Sequence, residues 1–263
     1  MISSRFSKLL SWAYLIALYG FIFLPVVVLV LFSFQDGRLP VPPFNGATLK
    51  WYGEVFADTR LMSALGNSLM VAIASSTIAC VLGFCAAYGL ARFMLPASRL
   101  QRGLLVAPMT VSYLIIALGL LSTFNWLGVS LSLWTVAIGH VVINLPLCFA
   151  IIYASMGDHQ KNIERAARDL GAAEWQVMTQ ISAPMLMPSI LAAFFLSVTF
   201  SWDEFIISFL LSRFDVTLPV EIWSMLRSGL NPKTNAIGSI VFLVSVALLL
   251  ILELSIFRRT AKK

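Results

Sequence analysis

The sequence is poor in charge. Of its 263 residues only 11% are Asp, Glu, Lys or Arg, against about a quarter in soluble domains, while 59% are apolar and the mean hydropathy is +0.90. A soluble enzyme is excluded. Cysteine is scarce as well: Cys80, Cys85 and Cys148 lie in apolar stretches, with no CxxC pair and no His, Asp or Glu at ligand spacing. That rules out a disulfide framework and a cysteine metal site, and the expectation is three small core residues. His140 falls inside an apolar run and His159 in a polar one, neither beside a Ser/His/Asp or Cys/His arrangement. No glycine precedes any of the six lysines, so the G-x-x-x-x-G-K-[ST] phosphate loop is missing, and with it that way of binding ATP. The net charge of +6 would hint at nucleic acid in a soluble chain. In a chain this apolar it asks which side of a membrane the charges occupy, and no nucleic-acid partner is expected.

What is abundant is the long apolar run. A helix crossing a hydrocarbon core about 30 Å thick needs roughly 20 apolar residues. Six windows qualify, near Ser11–Phe34, Asn67–Ala91, Gly103–Phe124, Leu131–Met156, Met185–Leu211 and Ala236–Phe257. The segments between them hold no second domain, so residues 1–263 read as one all-α transmembrane domain. The first window is too long for a signal-peptide core and no A-x-A site follows it, so it is expected to stay as a helix. With the N-terminus inside, twelve Lys and Arg fall on the inner side, among them Arg92, Lys161 and Arg258, and six on the outer side, among them Arg38, Arg213 and Lys233. The bias predicts both termini in the cytoplasm.

One inner segment, residues 157–184, is more than a connector. Ile163, Ala166, Ala167 and Leu170 recur at i, i+3, i+4 and i+7, with Glu164, Arg165, Arg168 and Asp169 on the other face. A short amphipathic helix is predicted there, ended at Gly171 by a left-handed residue. Trp175, Met178 and Ile181 then begin a second short stripe before Pro184 and Pro188. By periodicity alone, a helix lying on the lipid surface fits equally well.

The residue order in this segment resembles a known motif. Glu164-Arg165-Ala166-Ala167-Arg168-Asp169-Leu170-Gly171, followed after nine residues by Ile181-Ser182-Ala183-Pro184, is similar to the EAA loop of permease subunits in binding-protein-dependent ABC importers. Arg165 stands where the family usually has glutamate, and Ala183 where it has leucine. The six-span order and the segments Asn67-Ser68-Leu69, Asn144-Leu145-Pro146, Ser201-Trp202-Asp203-Glu204-Phe205, Leu218-Pro219 and Asn231-Pro232 extend the likeness over nearly the whole chain. They look most like the spermidine/putrescine branch, second permease chain type. The resemblance implies a six-helix, type I importer permease of MetI-like fold, multi-pass in a bacterial inner membrane and not itself an enzyme. Its implied partners are a second permease subunit, two ATPase subunits that carry ATP and magnesium, an extracytoplasmic solute-binding protein and a small cationic substrate. Residues Glu164 to Asp169 with Gly171, Ile181 and Pro184 would form the loop that docks in the ATPase.

The fifth span carries two carboxylates, and an ionisable residue in a span is a functional hypothesis by default. Asp203 and Glu204 lie beyond the middle of that window, flanked by Trp202 and Phe205. Carboxylates beside aromatic faces suit an alkylammonium, so these four are the candidate substrate pathway. The pair can instead be satisfied by a neighbouring chain or by helix-end hydrogen bonds, or serve proton coupling. The last describes an ion- or proton-coupled secondary transporter, which should show an inverted repeat and Gly/Pro-broken helices that the sequence does not display. An importer for iron, phosphonate or opine would share most of the pattern. His140 and Asn144 are expected to make interhelical hydrogen bonds, Asn67 and Ser68 to cap the second span, Glu253 to snorkel toward Arg258 and Arg259, and residues 220–227 to form a short outer helix.

Overall fold

A chain with so little polar surface can cross a membrane only by bonding its backbone internally, and the described residues are helical almost throughout. The computed structural model describes residues 4–260 apart from 38, 94, 95 and 230, without the side chains of residues 4–6, 248 and 252–260. The snorkelling of Glu253 and the charges at Arg5, Arg38, Arg258, Arg259, Lys262 and Lys263 lie outside the described side chains.

Among the described residues four helices are long and apolar enough to span, over Ser7–Ser33, Thr59–Arg92, Leu133–Ala154 and Pro232–Ile251. They belong to α1 (Ser4–Ser33), α3 (Thr59–Arg92), α6 (Leu133–Ala154) and α13 (Pro232–Thr260), with the short α2 (Lys50–Ala57) between the first two. The third and fifth predicted spans are not continuous. α4 (Ser98–Val106) and a 3₁₀ turn at Ala107–Thr110 meet α5 (Tyr113–Trp126) at 102°. Residues Glu174–Met185 meet α10 (Met187–Trp202) at 73°. With each bent pair taken as one span the count is six. The prolines explain both bends: Pro108 lies in the 3₁₀ turn, and Pro184 and Pro188 flank Leu186, where a ring without N–H disfavours a continuous helix. α10 is interrupted again at 203–205 before α11 (Ile206–Leu211). The expectation of unbroken spans is therefore corrected, and broken helices no longer weigh against a secondary transporter.

The second span also begins earlier than expected. The Asp58 carboxylate accepts the N–H groups of Arg60 (3.0 Å) and Leu61 (3.2 Å) and caps α3 at Thr59. Asn67 and Ser68 are thus inside the helix, where Asn67 donates to the Val216 carbonyl (3.0 Å) and the Ser68 hydroxyl accepts the Leu218 N–H (2.8 Å). They hold the start of α12 (Leu218–Ser228), the short helix that Pro219 and Gly229 bracket.

The chain divides into two compact units. One comprises residues 1–62 and 222–244, where Lys233 pairs with Asp58 at 2.7 Å and Gly238 brings α13 against Leu29. The other, residues 63–221 and 245–263, contains two buried clusters. One gathers Cys80, Phe84, Cys148, Phe149 and Leu186, the other Val71, Ala117, Val136, Ile207 and Leu211. Cys80 and Cys148 are core residues as expected, whereas Cys85 is exposed, because it falls on the opposite face of α3.

Gly83 sets the α3–α6 approach: a Cβ there would meet the Phe149 backbone nitrogen at 2.9 Å and the Cys148 Cβ at 3.0 Å. Backbone cannot rotate aside as a side chain can. Gly83→Val is expected to lower stability by about 1–3 kcal/mol, read as a lower melting temperature in detergent. Gly20→Val, where nothing lies within 4 Å, should leave it nearly unchanged. Equal melting of the two variants would disprove the close crossing.

Candidate functional site

Two sites were expected, a docking loop and a carboxylate pair in the fifth span, and both lie in the second unit. In the loop, α7 (Asp158–Asp169) begins where the Gly157 N–H donates to Gln160 Oε1 at 2.6 Å. Asp158 in its first turn and Arg168 in its last suit the helix dipole. It ends as predicted. Gly171, at φ +88°, donates to the Arg168 carbonyl (2.9 Å) and the next N–H, of Ala172, to Ala167 (3.0 Å), the paired bonds of a Schellman close. The chain then runs through α8 (Glu174–Gln176), a π-helical turn at Val177–Ser182 and α9 (Ala183–Met185).

One member of the charged face of α7 turns inward. Glu164 is fully buried, while Ile163, Ala166 and Leu170 point outward, Leu170 at 90% exposure. The reason is a buried ion pair. Both Glu164 oxygens accept from Arg92 at the end of α3, one from Nε and one from Nη2 (3.2 Å), and Ser182 Oγ donates to the same carboxylate at 2.8 Å. With Glu164 committed inward, the helix still presents its apolar stripe. Trp175, 60% exposed, extends it; Ile181 is half-buried and Pro184 exposed. Arg165 and Asp169 are exposed and Ala167 half-buried.

A second clasp lies alongside. Arg168 holds Glu174 through two bonds, 2.8 and 2.9 Å, and donates to the Tyr88 hydroxyl at 3.0 Å, while that hydroxyl donates to Glu174. The Arg168 guanidinium, helped by Tyr88, holds the Glu174 carboxyl down to about 2. It is ionised at any physiological pH, and this contact weakens only as pH falls toward that value. Arg92, Tyr88, Ser182 and Glu174 did not stand out in the sequence. Arg92 and Tyr88 are 72 and 80 residues from Glu164 and Arg168, Glu174 and Ser182 lie within the loop itself, and the one signal was that Arg92 ends a span.

In the fifth span the two carboxylates have separate fates. Glu204 is buried and caps α11, its oxygens accepting from the N–H groups of Ile206 (2.8 Å), Ile207 (2.9 Å) and Ser208 (3.2 Å). His140 Nε2 stands 3.4 Å from it and 3.1 Å from Ser208 Oγ, and Nδ1 lies 2.6 Å from Ser201 Oγ. Thus His140 makes the interhelical bonds expected of it. Asn144 does not: its amide nitrogen is buried without a hydrogen-bond partner. Asp203, where α10 ends, is exposed and makes no hydrogen bond among the described residues. Trp202 does not share that exposure, since its ring is 2% accessible. Phe205 is half-buried and stacked on Phe209. Phe200, three residues before Asp203 and so one turn back by helix spacing, is 49% exposed. Among the described residues no cluster of three or more His, Cys, Asp or Glu could hold a metal ion.

The geometry is that of a membrane protein with an exposed apolar stripe on α7 and an exposed carboxylate at a break between two helices. Comparison with known proteins gives its family. The chain is 29% identical to the spermidine/putrescine transport system permease protein PotC of Escherichia coli K12, over 94% of each chain. It is 34% identical to the putrescine transport system permease protein PotI of the same strain, over 88% of this chain and 85% of that one. Among solved structures, a bacterial ABC transporter for import of the acidic polysaccharide alginate has the same fold, with a TM-score of 0.68, 17% identity and 98% of each chain covered. The family described as the inner membrane component of binding-protein-dependent transport systems matches residues 79–261. This chain is a multi-pass membrane protein belonging to that family.

Proposed function

We propose that the chain is a permease subunit of a polyamine ABC importer in a bacterial inner membrane, with residues 1–263 forming one non-catalytic transmembrane domain. One observation carries the cationic substrate: Asp203 is exposed, and unpaired among the described residues, at a break in a membrane span. Such a carboxylate belongs against a water-filled cavity or a partner, not lipid, and non-helical backbone at that depth is tolerated only in the same places. The carboxylate, one turn from the exposed ring of Phe200, suits an alkylammonium, and the relatives named for spermidine and putrescine support the same class.

The exposed Ile163, Ala166, Leu170 and Trp175 form the surface that an ATPase subunit would cover, since apolar patches of this kind mark interaction sites. ATP and magnesium act in that partner. A second permease chain would complete the pathway, and an extracytoplasmic binding protein would deliver substrate at the α12 side, with both termini in the cytoplasm.

The test is uptake of radiolabelled putrescine and spermidine into cells expressing the chain with its neighbouring genes. ATP-dependent uptake is expected, together with co-purification of an ATPase that Ala166→Glu abolishes. Uptake driven by a proton gradient with no ATPase bound would establish the secondary transporter instead. ATP-driven uptake of iron, phosphonate or opine without polyamine uptake would keep the importer and replace the substrate.

A further inference from the structure

The side chain of Asn144 stands, without a hydrogen bond among the described residues, at the wall of a cavity beside a bend in a span. Asn144 lies near the middle of α6, 2% exposed, and its Nδ2 has no hydrogen-bond partner. Leaving a buried polar group unpaired is unfavourable, and each such group calls for an explanation. The side chain lines a cavity of about 90 Å³ with Met109, Tyr113, Ile143, Leu147 and Phe200. That is well above the roughly 10–15 Å³ one water needs. Met109 and Tyr113 stand on either side of the 102° break between the 3₁₀ turn and α5. Three independent features therefore converge: an unsatisfied amide, a cavity, and a bent span at the mid-height of α6, the depth at which transporters bind substrate.

We propose that this cavity takes one alkylammonium end of an aliphatic polyamine. The inference rests on the reading of the chain as a polyamine permease and adds a binding position to it. An ammonium is a donor only and needs acceptors and π faces. The acceptor that Asn144 offers is its carboxamide oxygen, which makes no hydrogen bond among the described residues, and the rings of Tyr113 and Phe200 line the same cavity. Phe200 also connects the cavity to the carboxylate, since Asp203 lies three residues on along the same helix face, about 4.5 Å further by helix rise. One end of a diamine at Asp203 and the other at Asn144 leaves the methylene chain over the Phe200 ring. Selection of a chain with two ammonium ends follows.

The experiment is concentration-dependent uptake of putrescine and spermidine by the full transporter carrying Asn144→Leu. Leucine fills the site and orphans no partner, so assembly with the ATPase should be unchanged. The half-saturation concentration should rise about tenfold, equivalent to about 1.4 kcal/mol of binding, with the maximal rate preserved. Phe200→Leu, on the exposed wall, should raise it in the same way and decides the matter where Asn144→Leu fails to assemble. Normal half-saturation in an assembled variant, with the wild type transporting polyamines, overturns the site alone and leaves the cavity to water. Absence of polyamine uptake by the assembled wild type overturns the polyamine reading, and this ligand with it.

Discussion

Glu164→Gln is expected to destabilise the chain by about 3–5 kcal/mol, because it removes one half of a buried ion pair and leaves Arg92 charged in the interior. The side chains are 0% and 5% exposed, and the pair is bidentate with Ser182 as a third member. Water cannot take over the lost contact. The expected readings are a markedly lower melting temperature in detergent and loss of the co-purifying ATPase, since this carboxylate fixes α7 to the end of α3. The double variant Arg92→Met with Glu164→Leu should recover most of the melting temperature, because well-packed apolar replacements of a buried pair are often neutral or stabilising. Its ATPase association then tells whether the pair acts only as a fastening or also in transmitting motion. A Glu164→Gln protein that melts like the wild type would show that the pair does not hold the loop.

How much of this the sequence disclosed depended on the range of the forces involved. The end of α7 at Gly171 and the bounds of α12 are local: a glycine at positive φ and a proline at a first turn act on their own neighbours. Both were legible. Span number was legible from apolar length, but the bend at Val111-Ser112 was not, because a run of apolar residues has the same hydropathy straight or folded back. Asn67 and Ser68 read as caps because they open an apolar window, yet Asp58 had already started that helix. What the sequence left open was the inward face of α7. Periodicity identifies two faces of a helix and does not say which one meets protein. Here the inward contact is set by Arg92, 72 residues earlier in the chain. The chemistry of the fifth span was half legible: two adjacent carboxylates were evident, their division of labour was not.

That division gives the second large effect. Asp203→Asn is expected to lower polyamine uptake at least tenfold, the weight of about 1.4 kcal/mol, while melting and ATPase association stay at wild-type values. Asp203 makes no hydrogen bond among the described residues, so its loss breaks none of them. Glu204→Gln is expected to act the other way. One of its oxygens becomes an NH₂ group facing the N–H groups of Ile206, Ile207 and Ser208, which then lack part of their acceptor in the buried start of α11. Each unmade buried bond costs about 1–3 kcal/mol, and His140, 3.4 Å away, loses the charge beside it. The melting temperature should drop, and uptake only in proportion to the protein that survives. Two neighbours in sequence thus separate into a substrate contact and a fold contact, distinguishable by measuring uptake per assembled transporter. If Asp203→Asn transports normally per complex, the open carboxylate faces a partner chain and the pathway lies elsewhere. If Glu204→Gln folds normally but does not transport, Glu204 belongs to the pathway and its helix-capping bonds are secondary.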